Sequence, residues 1–138
     1  MFSVFFSLNA KDYIFESNNS NTVLNTIKYP DGNEYIHVEN SGLWKDSTGD
    51  YGIEKCIGVI KKNKEQSQVE LRCEHTNQND ETFWTLKIRN SELHDSGGGI
   101  NTYLAGTGKY QKLIGEKCPY GVQYIKNMVW YTQKCRFK

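Results

Sequence analysis

The sequence lacks three features: a strong net charge, a long apolar run and a helical repeat of apolar residues. The net charge of the 138 residues is +1, which provides no overall field for holding nucleic acid or a membrane surface. The apolar stretch at residues 2–10 is far shorter than the roughly 20 residues that cross a bilayer, so we expect no membrane span. No segment sustains the apolar period of about 3.6 residues over three turns, so we expect little helix.

Aromatic residues, by contrast, are abundant: the chain has nine Tyr, six Phe and three Trp. Aromatic side chains suit the pleated, half-buried surface of a sheet. Strand signals recur about every ten to fifteen residues, as in residues 35–39 and 82–89, whereas the Asn/Ser-rich residues 18–21 indicate a loop before a strand at residues 23–27. The pattern predicts one all-β domain over residues 11–138, an antiparallel barrel of about eight strands that closes on itself.

The cysteines are the most informative residues. They form two pairs with the same separation of seventeen residues: Cys56 with Cys73, and Cys118 with Cys135. If each pair faces across a hairpin, the turns fall on residues 64–65 and 126–127, and the faces that carry the cysteines are also the apolar ones. This register predicts two disulfides; the alternative is four buried free thiols. No Cys-x-x-Cys pair occurs, so we expect no metal site and no cofactor.

The N-terminal segment is apolar and has no charge before Lys11. It resembles the second half of a secretory signal that ends in a small residue, with cleavage after Ala10. We therefore expect residues 1–10 to be a signal remnant and the mature protein to be periplasmic or secreted, where disulfides persist. The alternative is that these residues form an ordinary first strand.

The charges are unevenly distributed along the chain. Residues 1–50 carry three Lys against seven Asp or Glu, whereas residues 109–138 carry seven Lys or Arg against one Glu. One interpretation is a basic binding patch near the C-terminus. The other is that the first and last strands lie side by side in a closed barrel and attract each other.

Several short motifs resemble those of a known barrel family. They are Gly106-Thr107-Gly108-Lys109-Tyr110 followed by Leu113 and Gly115, Gly42 with Trp44, Cys56 with Gly58, Cys73, and Asn79 with Asp80. Together they resemble calycin-like small β-barrels of the allene oxide cyclase and dirigent type, and the exported bacterial proteins of unknown function related to them. The resemblance implies an eight-stranded barrel with a central cavity. It brings no catalytic residue to this chain, because none of the cyclase residues can be matched.

Aromatic side chains on the expected inward faces are the one indication of a ligand. The strand at residues 82–89 places Trp84 and Leu86 on one face, and the last hairpin places Tyr120, Tyr124 and Tyr131 on its cysteine face. An eight-stranded barrel either fills its interior with side chains or holds one small ligand there. These five residues are therefore the predicted ligand-binding residues of the lumen, with a filled core as the alternative.

The sequence supports no catalytic residue, so function can only be ranked by class. The first hypothesis is a non-catalytic exported barrel that binds a small apolar or amphipathic ligand, or a protein partner. The second is a cyclase- or isomerase-like barrel enzyme, which a buried ionisable residue facing the lumen would favour. A third is an inhibitor or adhesin that uses an exposed loop such as residues 94–99.

Overall fold

The computed structural model describes residues 12–92 and 97–137, and within them the chain forms a closed antiparallel barrel of eight strands. The strands are β1 (Tyr13–Lys28), β2 (Glu34–Asp46), β3 (Tyr51–Lys62), β4 (Gln66–Asn77), β5 (Thr82–Glu92), β6 (Gly97–Gly106), β7 (Lys117–Ile125) and β8 (Met128–Cys135). Each strand pairs with its neighbours in sequence, and β8 pairs with β1. The predicted fold class is confirmed, while residues 1–10, the expected signal remnant, lie outside the described residues.

Both cysteine hairpins have the predicted register. In β3–β4, Cys56 lies opposite Cys73, and the ladder continues to Lys62 opposite Ser67 around the turn. In β7–β8 the ladder runs to Ile125 opposite Met128. Both predicted disulfides, Cys56–Cys73 and Cys118–Cys135, are present. Each joins two neighbouring strands on their inward face, so the barrel is cross-linked at two places.

Strand β1 is longer than predicted, because the Asn/Ser-rich residues 18–21 lie inside it. Asn18 pairs with Leu43 of β2 on one side and with Trp130 of β8 on the other. Asn19 points inward, where its side-chain amide donates to Glu54 Oε2 at 3.0 Å. The prediction of a loop was wrong because two ladders and a buried partner outweigh the turn preference of these residues.

The seam between β1 and β8 is also an electrostatic contact. Asp12 lies 3.3 Å from Lys134 and 2.8 Å from Arg136. Their hydrogen bonds and charges lower the pKa of the exposed Asp12 carboxyl. The structure therefore supports the interpretation that the oppositely charged ends of the chain lie side by side, although exposed pairs of this kind add little stability.

A short 3₁₀ helix, Gly108–Leu113, covers one end of the barrel and contributes Tyr110 and Leu113 to the core. Gly108 at its start has φ of +54°, and a Cβ there would lie 2.1 Å from Glu81 Oε2. The Lys109 N–H donates to that same oxygen at 3.0 Å. Glycine is therefore required by a tight turn and a close approach.

The interior is filled with side chains at both ends. The end under the 3₁₀ helix holds an aromatic cluster that includes Phe15, Trp44, Phe83, Tyr103, Tyr110, Tyr120 and Tyr131. Toward the other end lie Ile36, Val38, Val69 and Leu71 with the Cys56–Cys73 disulfide. Ring centroids in the first cluster are 4.5 Å apart for Phe83 and Tyr110 and 5.2 Å for Phe15 and Trp44. Such contacts are those of a packed core and support the filled barrel over the hollow one.

Candidate functional site

Between the two apolar clusters lies a group of buried ionisable side chains, Glu54, His75 and Lys87, which we call the interior polar cluster. Glu54 and His75 are 0% exposed and Lys87 is 3% exposed. The Lys87 ammonium donates to Glu54 Oε1, and His75 Nε2 lies 3.1 Å from the same oxygen. Lys87 also lies over the Tyr131 ring, 4.0 Å from its centroid, in a cation–π contact. Three strands thus contribute one charge-balanced group to the centre of the barrel.

The contacts of the interior polar cluster set its protonation. Burial by itself raises the pKa of Glu54, but Lys87 and His75 together outweigh burial and hold that pKa well below its usual value. Burial lowers the pKa of His75, which favours the neutral imidazole. His75 Nδ1 lies 3.3 Å from the Phe83 carbonyl oxygen, so both ring nitrogens face acceptors. A neutral imidazole carries a hydrogen on only one ring nitrogen, so only one of these two contacts is a hydrogen bond.

The sequence did not predict this cluster, although the chain contains a signal for it. Glu54-x-Cys56 and Cys73-x-His75 place polar groups on the same faces as the bridged cysteines. The absence of a Cys-x-x-Cys pair predicts no metal site, but Cys73-x-His75 places two metal-binding side chains on one face of β4. Lys87 lies on the face of β5 opposite Trp84 and Leu86, so a prediction that places those two in the lumen places Lys87 in solvent.

The predicted lumen positions of Trp84 and Leu86 are wrong. Strand β5 turns Phe83, Thr85, Lys87 and Arg89 inward, and all four are buried. The Trp84 indole N–H instead donates to Glu74 Oε2 at 3.0 Å on the outer surface. The face of β5 with Trp84, Leu86 and Ile88 is the more apolar one, so alternation predicts the wrong facing. Lys87 turns inward, where Glu54 is its buried partner.

The three predicted tyrosines lie on the cysteine face of the last hairpin. Tyr120 and Tyr131 are buried inside the barrel with ring centroids 4.7 Å apart, and burial raises the pKa of Tyr120 to about 12. Tyr124 is 36% exposed, and its hydroxyl accepts a hydrogen bond from Arg89 at 2.8 Å. Their contacts are with protein side chains, and a role in ligand binding stays a prediction.

The outer surface carries an apolar groove that the sequence analysis did not find. Its most exposed large side chains are Leu43 (68% exposed), Tyr51 (60%) and Trp130 (58%), and Ile53 (65%) lies beside them. Leu43 pairs with Ile53 across β2 and β3, while Asn18 of β1 lies between Leu43 and Trp130. We call this surface of β8, β1, β2 and β3 the outer groove.

Polar residues border the outer groove. Glu16, Asn18, Lys45 and Thr132 contribute to its lining, and Glu16 lies opposite Lys45 in the ladder. Neither Glu16 nor Lys45 forms an ion pair within 4.0 Å with a described residue. Large apolar anchors inside a polar border are the arrangement found at the centre of protein interfaces.

Comparisons of the chain with protein-family models, with curated proteins and with solved structures found no match. Among the described residues, no helix has the length and apolar character needed to cross a membrane. What the structure defines is a disulfide-bridged, closed eight-stranded antiparallel barrel with a packed interior and an apolar outer groove.

Proposed function

We propose that this protein is an exported, non-catalytic binding protein that docks a protein partner on the outer groove. The observation that carries the proposal is the joint exposure of Leu43, Tyr51, Ile53 and Trp130 on adjoining strands. Scattered apolar side chains on a surface are ordinary, but a contiguous group marks an interaction site. Trp and Tyr are also the residues that most often dominate interface energies.

The packed interior favours a protein partner over a small ligand held in the lumen. Of the five residues predicted to bind a ligand there, Trp84 and Leu86 face outward, and Tyr120 and Tyr131 are packed against protein groups. A small apolar ligand would have to displace buried rings. A partner on the outer groove displaces only water.

The charge around the groove indicates the chemistry of the partner. The groove lining holds one acidic and one basic side chain, Glu16 and Lys45, and neither forms an ion pair within 4.0 Å with a described residue. We infer a partner segment with large apolar side chains next to charged residues of both signs, since complementary charge speeds and orients docking.

Export is part of the same proposal. Two disulfides in a β-barrel are consistent with an extracellular or periplasmic location, because reducing compartments keep thiols free. We propose that residues 1–10 are removed and that the mature chain begins at Lys11. The intact mass of the natively produced protein tests this, and a cellular protein that retains Met1 would contradict it. The closed eight-stranded barrel is also compatible with a calycin-like relationship, which we keep as a proposal.

Selection from a random twelve-residue peptide library on the immobilised full chain tests the docking proposal. We expect enrichment of peptides with large apolar residues next to charged residues of both signs. Affinity of an enriched peptide, measured by isothermal titration calorimetry, should fall at least tenfold with Trp130→Ala and with Leu43→Ala, the range expected for interface anchors.

Ile125→Ala is the matched control, because Ile125 is as exposed as Leu43, at 68%, but lies at the turn of the β7–β8 hairpin and does not line the groove. It should leave the affinity unchanged. Peptides that bind Trp130→Ala and Leu43→Ala as tightly as the wild type, or a library that yields no enriched binder, would overturn the proposal.

The interior polar cluster supports a second candidate, a cyclase- or isomerase-like barrel enzyme. Buried ionisable groups facing the lumen are the feature that favours an enzyme. Catalysis requires that a small molecule reach Lys87, whereas 97% of that residue is covered in the structure. Brief acetylation of the folded protein followed by peptide mapping decides this. The binding proposal expects Lys45 to be acetylated and Lys87 to be spared; rapid acetylation of Lys87 in the folded barrel would favour the enzyme.

A further inference from the structure

Four side chains with metal-binding atoms meet on the inward face of β3 and β4. Glu54 lies opposite His75, and Cys56 lies opposite Cys73 at the next inward positions. Ligand atoms of Glu54, Cys73 and His75 lie within 4.8 Å of one another, and Glu54 Oε1 is 3.5 Å from Cys56 Sγ. We propose that this protein, when the Cys56–Cys73 disulfide is reduced, binds one zinc ion through these four residues.

The ligand set and its spacing suit zinc. Thiolate, imidazole and carboxylate are the groups that bind Zn²⁺ in tetrahedral protein sites, and their bond lengths place ligand atoms roughly 3.3–3.8 Å apart. The contacts from Glu54 Oε1 to His75 Nε2, at 3.1 Å, and to Cys56 Sγ, at 3.5 Å, are already close to that range. Reduction frees the two sulfurs to separate by side-chain rotation.

The surroundings provide the outer contacts that zinc ligands usually have. His75 Nδ1 faces the Phe83 carbonyl at 3.3 Å, which orients Nε2 toward the other ligands. Asn19 donates to the second oxygen of Glu54 at 3.0 Å. Lys87 Nζ lies 3.9 Å from Cys56 Sγ and also contacts Glu54, so its ammonium neighbours two of the ligands.

The charge balance holds in both redox states. With the disulfide intact, the negative Glu54 and the positive Lys87 sum to zero. With zinc bound, two thiolates and one carboxylate contribute −3, zinc contributes +2 and Lys87 contributes +1, which again sums to zero. A buried group that stays neutral avoids the large cost of an unpaired interior charge.

One unpaired polar atom beside the cysteines is an independent observation. Thr85 Oγ1 is buried without a hydrogen-bond partner among the described residues. Thr85 lies opposite Cys73 in the β4–β5 ladder. A Cys73 thiolate would give the Thr85 hydroxyl a strong acceptor, which the bridged sulfur does not provide.

Cys56 and Cys73 are 1% and 3% exposed, so a dithiol reductant reaches their sulfurs when the barrel opens locally. The reductant supplies two electrons and two protons, so the Sγ–Sγ bond breaks, two thiols form and the reductant leaves as its cyclic disulfide. Zinc then displaces both thiol protons to solvent as two Zn–S bonds form. The covalent link between β3 and β4 is thereby exchanged for a metal link.

The test uses the full chain, reduced with dithiothreitol and freed of it without air, and then titrated with Zn²⁺ and with Co²⁺. We expect one metal ion per chain by native mass spectrometry, a cobalt–thiolate charge-transfer band, and no binding by the oxidised protein. Lys87 lies outside the ligand set, so Lys87→Met should lower the zinc affinity about 10–100-fold. His75→Gln removes a ligand and should lower that affinity more.

The second disulfide provides the matched control. The double variant Cys118→Ser/Cys135→Ser should keep the zinc site, whereas Cys56→Ser/Cys73→Ser should lose it. If the reduced chain unfolds, adding zinc should restore the circular dichroism signal of the strands. The proposal is overturned by a reduced wild type that binds no zinc, by zinc that fails to restore an unfolded chain, or by a site that follows Cys118 and Cys135.

Discussion

The inside of this barrel holds charged side chains and the outside holds large apolar ones, the reverse of the usual distribution in a folded protein. Inside, Glu54, His75 and Lys87 are buried in the centre of the core. Outside, Leu43 and Trp130 are more than half exposed. A closed barrel can bury charges that neutralise one another through hydrogen bonds, while large exposed apolar groups have no such compensation within the chain. In the proposed function, stability is provided by the inside and binding by the outside.

Adjacent residues of β5 give the sharpest comparison and the largest expected effect. Phe83→Ala should lower the free energy of unfolding by about 3–5 kcal/mol, because it empties a site packed against His75 and Tyr110. Trp84→Ala should cost much less, since it loses an exposed hydrogen bond to Glu74 and partly exposed area. Urea denaturation of both variants measures the difference. A larger loss for Trp84→Ala than for Phe83→Ala would mean that β5 has the opposite facing.

Removing one charge of the interior polar cluster should be nearly as costly. Lys87→Met leaves Glu54 buried without its cation and should lower the free energy of unfolding by about 3–5 kcal/mol at pH 7. The double variant Glu54→Gln/Lys87→Met should recover much of that loss, because no unpaired charge remains. Denaturation curves of the single and double variants measure this coupling. Additive losses would show that the two groups do not interact.

A pair of leucines compares the two sides with the same chemistry. Leu71 is 8% exposed inside, and Leu43 is 68% exposed outside. Leu71→Ala should lower the free energy of unfolding by about 2–5 kcal/mol, whereas Leu43→Ala should change it by less than about 0.5 kcal/mol. Thermal and urea unfolding measure both. A large loss for Leu43→Ala would show that the outer groove is part of the core and weaken its assignment to binding.

The smallest expected effect is at the edge between inside and outside, where Lys109 of the 3₁₀ helix contacts Asp50. Burial raises the pKa of Asp50, but hydrogen bonds from Lys109 and Gln78 outweigh burial and lower it below 3.8. The hydrogen bond to Asp50 raises the pKa of Lys109 above 10.5. The contribution of Asp50 to the free energy of unfolding is therefore complete above pH 3.8 and is lost as the pH falls through the folded-state pKa of Asp50. The Lys109 contribution is complete below pH 10.5 and is lost as the pH rises through its folded-state pKa.

Because Lys109 is 43% exposed, the pair should contribute less than about 1 kcal/mol. Asp50→Asn should therefore lower the free energy of unfolding slightly at pH 7, and its curve should approach that of the wild type as the pH falls below 3.8. Urea denaturation across this range measures the effect. A difference that does not shrink as the carboxylate is protonated would exclude the carboxylate as its source.

The same comparison explains how much could be predicted from the sequence. The barrel, the register of both hairpins and the two disulfides could be predicted, because the turn, the charges and the apolar face of each hairpin agree. Strand β5 could not be assigned correctly, because its more apolar face, with Trp84, Leu86 and Ile88, is the outward one. The interior polar cluster could not be inferred either, because Glu54, His75 and Lys87 are distant in sequence and become partners only when three strands are placed together.

Methyl nuclear magnetic resonance tests most directly the claim that binding belongs to the outside of the barrel. A peptide enriched by the full chain is titrated into protein with labelled methyl groups. We predict saturable shifts of the Leu43 and Ile53 signals of the outer groove, while the interior signals of Val38 and Leu71 stay in place. Shifts of Val38 and Leu71 without any change at Leu43 and Ile53 would place the binding site in the lumen and contradict the account.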